Sequence, residues 1–561
     1  MGVNRDTVTR ARTGGSAPTR TIALAVGAGI PLLFVCVFFV WPVATMVGRG
    51  IAPDGVLDLG GFAEVLTRPR TLRLIGLTLG QASLAALITT VAGVPVAYVL
   101  YRLKFRGRRL LRAIIVVPFV LPTVVVGVAF RTLLRDGGML GFLGLDGTFA
   151  AIMLALVFFN VAVVVRTVGG AWESLDTRLE EAAAALGASP LRVLITITLP
   201  RLAPAILAAA SIVFLFCSTA FGVVLVLGGV QFGTIETEIY LLTTQFLDLR
   251  AASVLSIAQL VVVVGMLLVA GRLGRGKTVA QRRTSAAPRP IRRSDGMALA
   301  VTAAVAVFLA LPIVSLVLRS LQTSTGWGLD NYLSLSGTGS RNALVVPVWV
   351  ALGNSLSTAL AATAIAIVVG LCACLVLSRR PRSRMGHYAQ SGFDGALMLP
   401  LGVSAVTVGF GFLVTLNHPP LDLRSSPILV PIAQALVATP LVIRTLLPVL
   451  RSISWSMREA ASVLGASPAR VLKDVDLAIA AKPLLAASGF AFAVALGEFG
   501  ATSFLSRPDR PTLPVVIFRL IGLPGGDNFG MALAASVVLA AVTVTIIALV
   551  ERLRVGTLGM L

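Results

Sequence analysis

A handful of polar side chains interrupt the apolar runs of this 561-residue sequence, and they are where chemistry would have to reside. They are Gln81, Asn160, Ser218, Thr219, Asn354, Ser355, Gln434 and Glu498. In apolar surroundings such groups are costly, and they mark solute or ion paths more often than in soluble proteins. Glu498, in Ala-Leu-Gly-Glu-Phe-Gly-Ala-Thr, is the carboxylate deep in an apolar run. It either attracts a cationic solute or is a hydrogen-bonded packing residue beside a glycine kink. Asn160, Ser218, Thr219, Asn354 and Ser355 are the candidate path residues that accompany it. No nucleophile–base pair or metal constellation emerges. His387 and His418 are the only histidines, and Cys36, Cys217, Cys372 and Cys374 sit in apolar runs without zinc-like spacing. Gly271 to Thr278 satisfies G-x₄-G-K-T, but that pattern cradles phosphate only between a buried strand and a helix N-terminus. Here an apolar span precedes it and an Arg/Pro-rich stretch follows, so no nucleotide site is expected and energy must come from a partner.

A second kind of signal is a stretch that occurs twice. Residues 180–200 read EEAAAALGASPLRVLITITLP, and residues 458–478 read REAASVLGASPARVLKDVDLA. The local physics is helix, glycine stop, helix. Asp176 can cap the first short helix, and Ser456 with Glu459 matches a capping box in the second copy. Gly187 and Gly465 suit the left-handed position that ends a helix, and Ser189-Pro190 and Ser467-Pro468 supply the cap and first residue of the next. Alanines leave one side of each short helix nearly bare, open to close approach by another protein or by the chain's own membrane domain.

Elements that position these residues follow from composition. The chain is 57% hydrophobic and 13% charged, with a mean hydropathy of +0.93. That describes a polytopic, all-α integral membrane protein. Apolar runs long enough to span a bilayer fall at about 21–47, 73–101, 110–134, 148–171, 202–228, 249–271, 297–319, 351–378, 393–416, 427–451, 483–505 and 530–551, twelve in all. The first, behind a basic leader, reads as a retained signal anchor. The net charge of +23 comes from short arginine clusters between runs, such as Arg102 to Arg112 and Arg379 to Arg384. That is the positive-inside pattern with both termini cytoplasmic, and it argues against nucleic acid as a partner. Residues 1–271 and 297–561 form two six-span repeats, and the basic stretch 272–296 reads as a cytoplasmic linker that tethers them. An even span count per half makes the repeats parallel. Gly93 matches Gly370, Arg166 matches Arg444, and Phe221-Gly222 matches Phe499-Gly500.

Both repeated stretches resemble the EAA loop of the membrane subunits of bacterial ABC importers: EAA, three residues, G, nine residues, I-x-L-P. The first fits throughout, at Glu181, Ala182, Ala183, Gly187, Ile197, Leu199 and Pro200. The second fits at Glu459, Ala460, Ala461 and Gly465, then departs with Val475-Asp476-Leu477-Ala478. The resemblance covers nearly the whole chain and is to the fused permeases of the thiamine and ferric-iron importers, of the type I permease fold. The segment from Ala220 to Tyr240, with Thr234-Ile235-Glu236, and the segment from Gly497 to Pro514 favour the thiamine member. The resemblance implies a bacterial cytoplasmic-membrane permease subunit that moves a solute by alternating access. It implies two copies of an ATPase subunit docked on the EAA loops, with ATP and Mg held there and no cofactor on this chain. It also implies an extracytoplasmic substrate-binding protein. A twelve-span secondary carrier is the rival from another class, and it would need an ion-coupling network beyond Glu498.

Overall fold

The computed structural model describes residues 27–555, apart from 54, 230, 275–287, 324–325, 380, 382 and 420. The basic leader, the start of the first apolar run and most of the linker therefore lie outside the described residues. The first half runs α1 (Gly27–Ile51), α2 (Leu59–Thr67), α3 (Pro69–Arg102), α4 (Arg108–Val120), α5 (Thr123–Leu134), α6 (Phe149–Glu173), α7 (Arg178–Ala185), α8 (Pro190–Ser218), α9 (Gly222–Leu227), α10 (Ile235–Thr244) and α11 (Leu249–Gly274). The second repeats that order as α12 (Gly296–Ser320), α13 (Asp330–Leu333), α14 (Val348–Leu377), α15 (Arg384–Met398), α16 (Ala405–Thr415), α17 (Leu429–Ser452), α18 (Trp455–Val463), α19 (Pro468–Gly497), α20 (Thr502–Leu505), α21 (Leu513–Gly522) and α22 (Gly526–Val555).

Among the described residues ten single helices are long and apolar enough to cross a membrane, and the bent pair α4–α5 makes an eleventh span. The protein is an all-α membrane protein of two parallel repeats. Its twelve expected spans are not all straight, however. The run expected at 110–134 turns by 104° between α4 and α5. Leu121 precedes Pro122, and the proline ring drives it out of the helical region, to φ −65° and ψ 140°. The run expected at 393–416 breaks in the same way. Pro400 sits in a 3₁₀ turn over Leu399–Gly402, Val403 is extended, and Ser404 restarts the chain by accepting from the Thr407 N–H at 3.0 Å. The runs expected at 202–228 and 483–505 are also shifted. Their helices begin at Pro190 and Pro468 and stop at Ser218 and Gly497, leaving α9 and α20 as separate short helices.

Packing interlocks the halves. The first helix of each crosses to the other: α1 lies against α16, and α12 lies against α3 and α5. Within each half the second and fourth spans approach at a glycine. A Cβ on Gly93 would meet Val164 at 2.7 Å, and one on Gly370 would meet Val442 at 2.7 Å. The linker does more than tether. Arg289-Pro290 pairs in parallel with Leu103-Lys104, and Arg289 binds the buried Asp295 carboxylate at 2.7 Å, with Tyr98 donating to the same group at 2.7 Å. Of the G-x₄-G-K-T stretch, residues 271–274 continue α11 and the rest lies outside the described residues.

Candidate coupling loops and polar interior

The two repeated loops adopt the same backbone. In α7 the helix ends at Leu186, Gly187 takes φ +82°, its N–H bonds the Ala184 carbonyl at 3.0 Å, and the Ala188 N–H reaches the Ala183 carbonyl at 3.0 Å. In α18 the helix ends at Leu464, Gly465 takes φ +84°, and the matching bonds run to Ser462 at 3.1 Å and Ala461 at 3.0 Å. These paired reverse bonds are the Schellman stop, which consumes carbonyls the helix end would leave open. Ser189 and Ser467 then accept from the N–H of Arg192 and Arg470, each at 3.4 Å, to start α8 and α19. Both exits pass through a π-helical turn, Leu194–Thr198 and Leu472–Leu477, so the altered end of the second copy leaves its path unchanged.

Caps at the entries differ from expectation. Asp176 accepts from the Arg178 N–H at 3.0 Å, one residue ahead of the Thr177 cap position. In the second copy Ser454, not Ser456, holds the cap position without a side-chain bond, and the Glu459 carboxylate takes the Trp455 indole N–H instead. Glu181, Ala182, Glu459 and Ala460 are exposed, while Ala183 and Ala461 are half-buried. Large apolar side chains stand beside them in solvent, with Leu186 90% and Leu464 88% exposed, and Leu179 and Val463 close by.

Each loop is fastened to the second span of its own half, with the acid in a different place. In the first copy Glu180 of α7 takes Arg102 at 2.5 Å and the Thr198 hydroxyl at 2.9 Å. In the second, Arg458 occupies the place of Glu180 and Asp476 the place of Thr198. Asp476 binds Arg458 and Arg379, both at 2.7 Å. The two substitutions compensate one another, since the carboxylate moves from the loop helix to the helix after it.

In the interior, the segments that follow α8 and α19 meet each other. Phe221 and Phe499, equivalent residues of the two halves, stack at 5.3 Å with rings 19° apart. Tyr240 and Phe518, also equivalent, each pack on the nearer of them at 5.4 Å. Asn160 donates to the Leu156 carbonyl at 2.9 Å and to Cys217 Sγ at 3.3 Å. Ser218 and Thr219 turn back onto the Leu215 carbonyl, at 2.9 and 3.0 Å, while the Gln81 amide reaches the Cys217 carbonyl at 3.3 Å. Asn354 and Ser355 hold the start of α21, through the Pro511 carbonyl at 3.2 Å and the Leu513 N–H at 2.7 Å. Glu498 accepts the N–H groups of Ala501 at 2.7 Å and Thr502 at 3.1 Å, and so caps α20.

Comparison with known proteins fits this geometry. Residues 90–275 match the family described as binding-protein-dependent transport system inner membrane component. The sulfate transport system permease protein CysT of Salmonella typhimurium is 32% identical over 248 residues, 43% of this chain and 87% of that protein. The chain belongs to this permease family. Thiamine transport system permease proteins ThiP match over both halves of the permease. The Escherichia coli protein is 29% identical over 79% of this chain and 82% of its own, and the Brucella abortus protein 25% over 94% and 96%. A solved bacterial ABC transporter involved in alginate import aligns at a TM-score of 0.40 and 19% identity, over 47% of this chain and 96% of that one.

The permease brings Asn160, Ser218 and Thr219 together near the end of α8, but Asn354 and Ser355 hold the start of α21 and Glu498 the start of α20. One acid escaped sequence reasoning. Glu236 in the first turn of α10 is 0% exposed, and its Oε2 accepts from Ser404 of the other half at 2.8 Å. Its segment, Thr-Ile-Glu-Thr-Glu-Ile-Tyr, enters the sequence reading only as part of the resemblance to thiamine permeases, not as a site. The contact that buries it lies 168 residues away.

Proposed function

We propose that the chain is the transmembrane permease subunit of an ATP-driven thiamine importer, with two ATPase subunits docked on α7 and α18. Two equal loop ends, each with a bare alanine flank and an exposed leucine, support a pair of identical docking partners. A solvated patch of this kind on a rigid, capped turn is what a groove on another protein can bury. The arginine-rich end of the bundle, which carries both loops, is then cytoplasmic. ATP and Mg belong to the ATPase subunits, and an extracytoplasmic binding protein supplies solute at the opposite end. Closure of the ATPase pair rocks the halves about the Phe221–Phe499 contact.

The substrate reading rests on one observation. The thiamine permeases match through both repeats, whereas the sulfate permease covers less than half of the chain. The test is co-expression with the ATPase subunit and binding protein of a thiamine importer, followed by reconstitution in vesicles. Thiamine-dependent ATP hydrolysis and labelled thiamine uptake are expected. Hydrolysis stimulated by another solute, with none by thiamine, would replace the substrate. Failure to co-purify with any ATPase subunit would remove the importer reading altogether.

A further inference from the structure

Glu236 is held in a way that repacking the fold would not require. Its Oε1 has no well-formed hydrogen bond among the described residues, and its Oε2 takes the neutral hydroxyl of Ser404 at 2.8 Å. Gln259 of α11 lies beside the same carboxylate; one of its two amide N–H groups goes to the Ser218 carbonyl at 3.0 Å, the other faces Glu236, and its own Oε1 lacks a donor among the described residues. Two neighbouring groups thus present open acceptor oxygens, and no Lys or Arg pairs with Glu236 among the described residues. Glu238, two residues on, has the partner Glu236 lacks: Arg70 at 2.8 Å. A buried carboxylate with so little compensation is strongly unfavourable unless something else supplies the charge.

The repeat shows that the acid is not an architectural need. Thr234 and Ile235 have counterparts in Thr512 and Leu513, and the first N–H of each helix is held alike, by Thr78 at 3.1 Å and Ser355 at 2.7 Å. Yet the counterpart of Glu236 is Pro514, which α21 accommodates in its first turn. The acid also has chosen company. Tyr240 follows it by one helical turn on the same face. That ring packs on Phe221, which stacks on Phe499, and meets Phe504 edge-on at 5.4 Å. Acceptor oxygens and a carboxylate beside stacked rings suit a flat aromatic cation, through charge attraction and cation–π contact, and repel an oxyanion.

We propose that Glu236, with Gln259 and the Tyr240–Phe221–Phe499 rings, forms the station inside the membrane that receives a flat aromatic cation as the halves part. This rests on the importer reading above and assigns the thiazolium of thiamine to this carboxylate. The competing role for Glu236 is a latch, closing the halves through Ser404. Thiamine uptake by vesicles holding the permease, its ATPase subunits and its binding protein separates the two. Glu236→Gln keeps an acceptor for Ser404 and removes the charge, and uptake is expected to fall at least tenfold. Ser404→Ala removes the latch and keeps the charge, and uptake is expected to fall less than threefold. Glu236→Asp is expected to recover a large part of the loss. Equal losses in Glu236→Gln and Ser404→Ala, or wild-type uptake in Glu236→Gln, overturn the proposal. If Glu236→Gln does not assemble, Glu236→Asp carries the test, and its uptake at the level of empty vesicles overturns it. Wild-type vesicles that take up no thiamine overturn the substrate reading instead, and the assignment with it.

Discussion

At the scale of single residues, two kinds of glycine separate cleanly. Gly187 and Gly465 have nothing within 4 Å of a would-be Cβ, but their φ of +82° and +84° is strained for any other residue. Gly93 and Gly370 are ordinary in φ, but a Cβ there would press on Val164 or Val442 at 2.7 Å. Gly93→Leu or Gly370→Leu should therefore lower the melting temperature of the purified permease, by overpacking worth about 1–3 kcal/mol or more. Gly187→Ala should cost only the left-handed penalty of roughly 1–2 kcal/mol, confined to the loop. A thermal shift as large in Gly187→Ala as in Gly93→Leu would contradict this division. The stop glycines were legible in the sequence because their conformation is set by the few residues around them. Glu498 leaves two readings open in the sequence, and its hydrogen bonds agree with the packing one. Its apolar neighbours suggest a solute path, yet its oxygens are taken by N–H groups three and four residues on. Glu236 could not be found that way, because Ser404 of the other half buries it.

Among elements, the loops are informative for what differs between them. Beside the departures from I-x-L-P at Val475 and Ala478, the second copy carries a paired exchange, with Arg458 for Glu180 and Asp476, at the free position of the pattern, for Thr198. Sequence comparison within the chain could show each change but not that the two side chains meet, since 18 residues and a reversal separate them. The bonds also differ in burial. The Asp476 side chain is 1% exposed and holds two arginines, whereas Glu180 is 17% exposed and holds one. Removing one member of a buried pair costs about 3–5 kcal/mol, because the remaining charge is left uncompensated. Asp476→Ala should accordingly destabilise the permease well beyond Glu180→Ala, read as melting temperature and as yield bound to the ATPase subunit. Equal losses would mean the second anchor is as solvated as the first. The breaks in the third spans were only partly legible. Pro122 and Pro400 mark them, but proline alone does not decide between a kink within one span and a right-angled turn.

At the scale of the whole molecule, the parallel repeat, the arginine-rich end and the placement of both loops there were all readable from periodicity and charge. The crossing of α1 and α12 into the opposite halves was not, since apolar helices carry no label for their neighbours. That crossing predicts that the chain can be cut near Ala286 and the two parts co-expressed with transport restored. Asp295→Ala in the intact chain should loosen the linker end from Tyr98 and Arg289, and limited proteolysis should then cut faster on that side. Inactivity of the well-expressed split pair would show that the linker is a working part. In the proposed importer, two equivalent loops carry the ATPase stroke into the membrane. Because the Schellman stops and the π-turn exits are the same in both, the loss of the proline pattern in the second should not weaken its share. The direct measurement is thiamine-stimulated ATP hydrolysis and uptake in reconstituted vesicles for Gly187→Val and Gly465→Val. Both variants are predicted to assemble with the ATPase subunit and to lose stimulation and uptake to a similar degree. Wild-type stimulation and uptake in both would contradict the account.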